Sequence, residues 1–315
     1  MSCRLFFLYK VYGERAIFLL AFSPLICYNT FRSENKSNRR TKKNKFKGIL
    51  FSTDLDGTLY GSYSTVSKEN LSAIEYIRSE GGIFTFITGR PPKTSAEICK
   101  IIKPTSPYGC FNGAAIYDPA VGKCTWHIQL CEDFLEIVRE VDEKLPEVGI
   151  QLNTESEIYI NKGNAVMDRF LEVVAIPRVS CHYTEVEETT VKVVFGTADE
   201  VLMNALAHLL TNHPKAHLFD FIRSERTLYE ILPKGANKGT ALCKMAELLG
   251  IKQERTIAVG DYNNDISMIK AAGAGFAVAN AVDEVKAVAD YITVSNNESA
   301  IAAIVDRLDK GEFFS

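Results

Sequence analysis

The chain has 315 residues, of which 46% are hydrophobic and 24% are charged, and its formal net charge is −3. These values are ordinary for a soluble globular protein with one large domain or two modest ones. The charge is uneven, because residues 1–47 carry a balance of +9 and leave −12 for the rest of the chain. An acidic body of this kind argues against nucleic acid as a partner, so an anionic substrate must be held by a few placed cations and backbone N–H groups.

The first 45 residues differ from the rest of the chain. An apolar run over residues 16–27 is shorter than the roughly 20 residues of a membrane-spanning helix, so no stable membrane span is predicted. A stretch rich in Lys, Arg, Asn and Ser follows over residues 32–47. Three interpretations stay open for residues 1–45: a targeting leader, a mobile basic arm, or upstream sequence included by a misassigned start. The folded protein is predicted to begin near Phe46.

The eight cysteines are scattered, with neither a C-x-x-C pair nor the spacing of zinc ligands. This distribution indicates free thiols in a reducing compartment and favours the cytoplasm. Targeting by the N-terminal leader is the alternative location. The sequence carries no signal for the oligomeric state.

Strands and helices alternate on both sides of a central stretch of the chain. The N-terminal part predicts a strand over 48–53, a helix from Ser67 to Gly81, a strand over 83–87, a helix over 94–103 and a strand near 108–111. The C-terminal part predicts helices at 238–249, 264–272, 285–289 and 299–308 and strands at 255–259, 275–279 and 291–294. This alternation predicts an α/β core with a doubly wound, Rossmann-like parallel sheet, built from residues 46–119 and 235–312.

Residues 120–234 interrupt this core with a different pattern. Strand-like segments at 150–153, 157–161, 190–196, 216–222 and 227–232 cluster around two predicted helices, near 164–174 and 199–211. Runs of strands without strict alternation predict an inserted α+β cap domain with its own sheet.

Two aspartates directly follow the first predicted strand. Asp54 and Asp56 stand two residues apart in the segment DLDGT, so both carboxylates can face one site at the edge where open α/β sheets bind ligands. Gly57 allows a sharp turn that frees backbone N–H groups for an anion. One carboxylate can attack phosphorus while the other moves the proton of the leaving group and then of water. For an isolated pair of this kind, a solvated Asp-Gly turn is the alternative.

Further acids follow another apolar strand, in the segment GDYNND over residues 260–265. Asp261 can complete an oxygen site with Asp54, and Mg²⁺ is the cation that combines one or two carboxylates with waters and a phosphate. Asp265 stands at a predicted helix start, where it either caps the helix or binds the metal through water.

Two more segments offer groups for an anion. Thr88-Gly89-Arg90 follows the second predicted strand, and its hydroxyl and N–H groups suit a phosphoryl oxygen, although a simple strand-to-loop turn explains the same residues. Lys238 begins a predicted helix. Because a cation at a helix N-terminus opposes the helix dipole, an anionic group is expected beside it.

Together these segments resemble the haloacid dehalogenase superfamily. DLDGT, ITGR, a Lys before a helix and GDYNND occur in the order of that family, and the likeness runs from about Lys47 to the last predicted helix. Within the superfamily the chain is similar to the Cof-type phosphatases, whose C2B-like α/β cap lies between the second and third motifs. The segments FNGA (111–114) and ANA (279–281) are also typical of that group.

The resemblance implies a role for each acid of the motifs. Asp54 would be the nucleophile that forms an aspartyl-phosphate, and Asp56 the general acid and base. Mg²⁺ would be held by Asp54, by the Asp56 carbonyl and by Asp261. Asp265 would lie behind these ligands without binding the ion directly.

Other motif residues would contact the substrate. The groups implied for binding the transferring phosphoryl group are Thr88, Gly89, Lys238 and Asn264. Further candidates for the substrate pocket are Arg90, Asn112 and Gly113. One departure is visible at the start of the last helix, where relatives usually have Asp-Gly-Val and this chain has Ser299-Ala300-Ile301.

The leading hypothesis is a Mg²⁺-dependent phosphoric monoester hydrolase for a small phosphorylated metabolite, such as a sugar phosphate or a phosphorylated cofactor. Asp56 favours ester hydrolysis, because ATPase branches of the superfamily carry Thr there and dehalogenases lack an acid. A sugar phosphomutase is one alternative. A non-catalytic binding or regulatory protein of the same fold is another alternative. A site without catalytic activity would, however, not need several charged residues that repel one another or lose free energy on burial.

Overall fold

The computed structural model describes residues 44–314 of the chain. The predicted leader, apart from residues 44 and 45, lies outside the described residues. Phe46 is buried, and its N–H donates to the Glu80 carbonyl at 3.0 Å. Within residues 44–314, no helix is long and apolar enough to cross a membrane.

The secondary structure follows the alternation predicted for the core. The described residues form the strands β1 (Leu50–Thr53), β2 (Ile83–Phe86), β3 (Tyr108–Cys110), β4 (Ala115–Asp118), β5 (Lys123–His127), β6 (Gly149–Asn153), β7 (Ile158–Lys162), β8 (Val179–Ser180), β9 (Lys192–Gly196), β10 (Phe219–Glu225), β11 (Leu228–Pro233), β12 (Thr256–Gly260), β13 (Ala274–Ala277) and β14 (Tyr291–Ile292). The helices are α1 (Lys68–Ser79), α2 (Pro92–Ile102), α3 (Phe134–Lys144), α4 (Ala165–Val174), α5 (Glu200–Asn212), α6 (Lys238–Leu248), α7 (Ile266–Ala271), α8 (Asp283–Lys286) and α9 (Ala300–Asp309).

A five-stranded parallel sheet forms the core, with strand order β14-β13-β12-β1-β2. Successive side chains of β1 point to opposite faces. Phe51 packs into the cluster that contains Ile74 of α1 and Ile304 of α9, whereas Leu50 packs into the cluster of Leu242 in α6. Helices therefore cover both faces of the sheet, and the predicted α/β fold with a doubly wound parallel sheet is confirmed.

Two further sheets accompany the core. A six-stranded sheet has the order β10-β11-β9-β6-β7-β8, and its pairs are antiparallel except for β7 with β8. A three-stranded antiparallel sheet joins β3, β4 and β5. The cap was predicted to begin at residue 120, but β4 and β5, which lie on either side of this residue in the chain, pair with each other. The domain boundaries stay predictions.

Helix α3 is not one of the two helices that were given bounds in the sequence prediction for the inserted region. Its buried residues Phe134, Ile137, Val138 and Val141 recur at helical spacing and pack against Leu206 and Leu210 of α5. This spacing is visible in the sequence and is typical of an amphipathic helix.

Ser299, the first residue of the departure from the usual Asp-Gly-Val, has a structural role between two helices. Ser299 adopts a left-handed backbone conformation with φ +64°. Its hydroxyl shares a hydrogen bond of 2.9 Å with the hydroxyl of Ser67, the residue that caps α1 by accepting from the Asn70 N–H. Ser299 therefore ties the start of α9 to the start of α1.

Candidate active site

The chain turns sharply where β1 ends at the edge of the parallel sheet. The Asp54 N–H donates to the Val259 carbonyl at 2.9 Å, and residues Leu55–Leu59 form one wide turn that is closed by the Tyr60 N–H on the Leu55 carbonyl at 2.8 Å. Gly57 has φ +78°, and a Cβ there would lie 2.4 Å from Asp261 Oδ2. Only glycine therefore allows the loops after β1 and β12 to approach this closely.

Lys238 joins two carboxylates at the first turn of α6. Its Nζ lies 2.7 Å from Asp54 Oδ1 and 2.6 Å from Asp265 Oδ1. Lys238 is 1% exposed and Asp265 is fully buried. These carboxylates are the anionic groups that were expected beside a cation at a helix N-terminus.

Asp265 uses both of its oxygens within the protein. Oδ1 accepts from Lys238, while Oδ2 accepts from the backbone N–H groups of Asp261 and Tyr262 at 2.9 and 3.1 Å. The Thr58 hydroxyl donates to Asp261 Oδ1 at 2.7 Å. Asp265 thus fixes the loop that carries Asp261, and Thr58 fixes the carboxylate itself.

Three carboxylates form a cluster that could hold a metal ion. Each of Asp54, Asp261 and Asp265 offers an oxygen, and these oxygens lie within 4.8 Å of one another. Lys238 is the cation that contacts the cluster among the described residues. Three carboxylates around one ammonium group leave negative charge uncompensated, and oxygen ligands of this kind suit a hard divalent cation.

The pKa values of the cluster reflect this excess of negative charge. Burial raises the pKa of Asp54 well above its usual value, against the opposing effect of Lys238. Burial and the neighbouring Asp265 raise the pKa of Asp261 to about 7. Burial alone would lower the pKa of Lys238, but Asp265 and Asp54 outweigh it and raise the pKa. A bound cation would favour the ionised carboxylates and offset these shifts.

Arg90 holds the second aspartate of the turn. Its Nε donates to Asp56 Oδ2 at 2.8 Å and its Nη2 to Asp56 Oδ1 at 2.6 Å. The guanidinium also lies over the Tyr60 ring, 5.4 Å from the centroid. This bidentate hydrogen bonding fixes the orientation of the Asp56 carboxylate, which is half exposed.

Thr88 and Gly89 lie at the carboxyl end of the neighbouring strand β2. The Thr88 N–H donates to the Gly109 carbonyl at 3.0 Å, and Thr88 is buried. Its Oγ1 accepts a hydrogen bond from the Arg90 N–H at 3.2 Å. Because the hydroxyl oxygen acts as acceptor in this contact, its own proton can be donated to a ligand.

A cavity of about 450 Å³ opens above these groups, a size that suits a small metabolite. The residues that line it from the predicted core include Asp54, Asp56, Gly57, Thr88, Gly89, Arg90, Asp261 and Asn264. The lining from the inserted region includes Gln151, Phe170, Val173, Val174, Lys192, Ser224, Arg226 and Glu230.

Two residues predicted for the substrate pocket, Asn112 and Gly113, do not line this cavity. Asn112 is buried behind the wall, where its side chain contacts Asn264 and Glu230. A Cβ on Gly113 would lie 2.1 Å from the Asn237 carbonyl oxygen, so this glycine lets the chain pass the start of α6.

Sequence reasoning missed the charged residues that the inserted region contributes to the cavity wall. Lys192 and Glu230 stand in the strands β9 and β11, between apolar neighbours, and both are buried. Lys and Glu are almost never fully buried without a partner. A charged residue inside an otherwise apolar strand therefore indicates, from the sequence alone, a buried ion pair.

Comparison with known proteins places the chain in a family. The family model for haloacid dehalogenase-like hydrolases matches residues 51–305. The chain belongs to the haloacid dehalogenase-like hydrolases. The predicted superfamily is thereby confirmed.

Individual relatives of this hydrolase are named phosphatases. The chain is 27% identical to 5-amino-6-(5-phospho-D-ribitylamino)uracil phosphatase YitU of Bacillus subtilis, over 85% of this chain and 98% of that protein. It is 28% identical to the putative phosphatase YxeH of B. subtilis, over 82% and 97% of the two chains. A solved haloacid dehalogenase-like hydrolase from B. subtilis superposes with a TM-score of 0.74 at 26% identity, over 82% of this chain and 99% of that chain.

Proposed function

We propose that this hydrolase is a Mg²⁺-dependent phosphatase that cleaves the phosphate ester of a small metabolite through an aspartyl-phosphate on Asp54. The observation that carries the proposal is the ion pair between buried Lys238 and Asp54, which lines the cavity together with Asp56. The predicted enzyme class, a phosphoric monoester hydrolase of this family, agrees with relatives that are named phosphatases.

Asp54 and Asp56 divide the chemistry between them. Asp54 Oδ1 accepts from Lys238, which leaves Oδ2 to attack phosphorus while the bond from phosphorus to the ester oxygen breaks. Asp56 gives a proton to that leaving oxygen, for which one of its two oxygens exchanges its hydrogen bond from Arg90 for a proton while the other keeps its contact. It then takes a proton from the water that attacks the aspartyl-phosphate, so phosphate is released and the Asp54 carboxylate is regenerated.

The remaining motif residues bind the phosphoryl group and the cation. The Thr88 hydroxyl, the Gly89 N–H, Lys238 and Asn264 would contact the phosphoryl oxygens, where negative charge grows in the transition state. Asp54, the Asp56 carbonyl and Asp261 would hold Mg²⁺, and Asp265 keeps the Asp261 loop in place. When bound, the ion neutralises charge on the phosphoryl oxygens and on the clustered carboxylates.

The cavity wall indicates a leaving group with both polar and apolar parts. Gln151, Ser224 and Arg226 offer hydrogen bonds, whereas Phe170 and Val173 of α4 are apolar. A sugar phosphate or a phosphorylated cofactor would meet both kinds of surface. The substrate in the name of YitU joins a phosphorylated ribityl chain to a uracil ring, and it therefore belongs among the compounds to be tested.

A panel of phosphorylated metabolites, assayed for phosphate release with Mg²⁺, tests the proposal. We expect hydrolysis of at least one sugar phosphate or phosphorylated cofactor, and none after removal of divalent cations. Turnover that is equal with and without cations would contradict it. Conversion of a sugar 1-phosphate into its isomer without net phosphate release would instead identify a phosphomutase.

Replacement of Arg90 with Met should lower kcat in a way that depends on the leaving group. The variant removes both hydrogen bonds to Asp56 and keeps an apolar stem beside Tyr60. We expect a loss of roughly 10- to 100-fold for alkyl phosphates, whose leaving oxygen needs a proton, and a smaller loss for p-nitrophenyl phosphate. Equal losses for both substrates would show that Arg90 does not act through Asp56.

Mg²⁺ should raise the melting temperature of the wild-type protein, because a ligand that binds only the folded state stabilises it. Asp261→Asn removes one proposed ligand and one partly buried carboxylate whose pKa is raised. We therefore expect this variant to melt no lower than wild type in metal-free buffer at pH 8, and to respond to Mg²⁺ at least about tenfold more weakly. Differential scanning fluorimetry over a range of Mg²⁺ concentrations measures both effects. An unchanged Mg²⁺ response would remove Asp261 from the metal site.

A further inference from the structure

A buried ion pair of the inserted region faces the phosphate-binding loops. Lys192 of β9 and Glu230 of β11 lie 2.9 Å apart, and their side chains are 5% and 3% exposed. The Ser224 hydroxyl donates to Glu230 Oε1 at 2.6 Å. Burial of two charges costs more free energy than a surface pair, and an apolar pair of similar volume often stabilises a fold equally well. Stability alone is therefore a weak explanation for this pair.

Lys192 contacts the loop after β2 through a single peptide group. Its Nζ donates to the Gly89 carbonyl at 2.9 Å. The N–H of the same peptide group belongs to Arg90 and donates to Thr88 Oγ1 at 3.2 Å. Because a peptide group is planar, the ammonium group that fixes its carbonyl also fixes the direction of its N–H. Lys192 thereby orients the Thr88 hydroxyl.

Glu230 contacts the loop after β3. Its Oε2 accepts from Asn112 Nδ2 at 2.8 Å, and Asn112 Oδ1 accepts from Asn264 Nδ2 at 3.0 Å. Phe111 and Asn112 have φ of +52° and +55°, a conformation that non-glycine residues rarely adopt and that needs support from surrounding contacts. Glu230 supplies one of these contacts. Through Asn112, the position of Glu230 therefore also affects Asn264 at the cavity wall.

We propose that the Lys192–Glu230 pair positions the phosphoryl-binding groups of the core, and so makes the site complete only when the inserted region is docked on it. The inference rests on the proposed phosphatase activity. Both charges belong to the six-stranded sheet, whereas Thr88 and Asn264 follow strands of the parallel sheet. The pair acts on the donors for the phosphoryl group and leaves recognition of the leaving group to other residues.

Three variants separate positioning from packing. Lys192→Met and Glu230→Gln each remove one charge, and the double variant Lys192→Met/Glu230→Leu replaces the pair with apolar side chains. We expect all three to lower kcat by about 10- to 100-fold, with a similar factor for p-nitrophenyl phosphate and for the best metabolite. We also expect the double variant to keep the melting temperature of wild type.

A second readout does not depend on turnover. Calorimetric titration with orthovanadate in the presence of Mg²⁺ reports on the phosphoryl-binding groups themselves, and its affinity should fall with kcat in the variants. Lys93→Met is the matched control. Lys93 of α2 forms another ion pair between the two regions, 2.7 Å from Glu157, and neither residue is among those lining the cavity. This control should keep both kcat and orthovanadate affinity.

Two outcomes would overturn the inference. One is a folded double variant with wild-type kcat and wild-type orthovanadate affinity. The other is an increase in KM confined to the metabolite, with p-nitrophenyl phosphate kinetics and orthovanadate affinity unchanged, because that pattern would assign the pair to the leaving group. A wild-type protein that hydrolyses no ester would count against the proposed function, and the orthovanadate comparison would still test the positioning role.

Discussion

Replacement of Asp54 with Asn is expected to lower kcat by about 10⁴- to 10⁶-fold, the range seen when an enzyme loses its nucleophile. Asn has nearly the same size as Asp and can still accept the hydrogen bond from Lys238, but its amide does not form an acyl phosphate. Phosphate release by the two proteins, measured on the best ester of the metabolite panel, gives the ratio. Mass spectrometry after rapid acid quench should find one added phosphoryl group on the wild-type peptide that contains residue 54 and none on the variant peptide.

The stability of the same variant separates chemistry from folding. Burial raises the pKa of Asp54, so this group releases its proton more readily in the unfolded state than in the folded state and opposes folding at neutral pH. The Asn variant should therefore melt at or above the wild-type temperature in metal-free buffer at pH 7, and this advantage should shrink as the pH falls toward the usual pKa of an aspartate. Asp306→Asn is the control and should retain full activity, because Asp306 of α9 forms an exposed pair with Lys310, the residue after this helix. An Asp54→Asn protein that keeps its rate would rule out this nucleophile.

Replacement of Lys238 with Met is expected to lower the free energy of unfolding by about 3–5 kcal/mol, as is usual when one partner of a buried ion pair is removed. The variant leaves Asp54 and Asp265 close together and buried without their shared cation. Urea unfolding in metal-free buffer measures the change. Mg²⁺ should restore part of the loss, because a divalent cation can compensate the same carboxylates.

Two companion variants sharpen this prediction. Lys244→Met breaks a partly exposed pair with Glu247 on the same helix and should change stability by no more than about 0.5 kcal/mol. Lys238→Met/Asp265→Asn removes one of the stranded carboxylates and should recover part of the stability lost in the single variant. A Lys238→Met protein with the urea midpoint of wild type would show that these carboxylates are not ionised in the folded state.

Much of the site followed from local sequence patterns. Asp54, Thr88 and Asp261 each come within two residues of the end of a short strand, and the carboxyl ends of parallel strands meet at one edge of a sheet. Their convergence was therefore predictable without knowledge of side-chain contacts. Lys238 was predictable for a different reason, because a cation at a helix N-terminus is unfavourable unless an anion lies beside it.

Contacts between the predicted core and the inserted region were not predictable in the same way. Glu230 reaches Asn112 across 118 positions of the chain, and no periodicity or motif links two such distant residues. The likeness of Asn112 and Gly113 to a family segment suggested the substrate pocket, whereas the loop has a left-handed backbone at Asn112 and neither residue lines this cavity. Backbone conformations of this kind depend on tertiary contacts, which a single sequence does not reveal.

The tight fit of Gly57 against Asp261 bears on how such an enzyme can acquire new substrates. Any side chain at position 57 would collide with the Asp261 carboxylate, so random mutagenesis of the two loops should yield mostly inactive clones. Gln151, Val173 and Arg226 line the same cavity from the inserted region and hold none of the proposed reacting groups. Mutant libraries limited to these three positions should therefore retain turnover and differ in which ester is preferred, so substrate range can evolve while the chemistry is inherited unchanged.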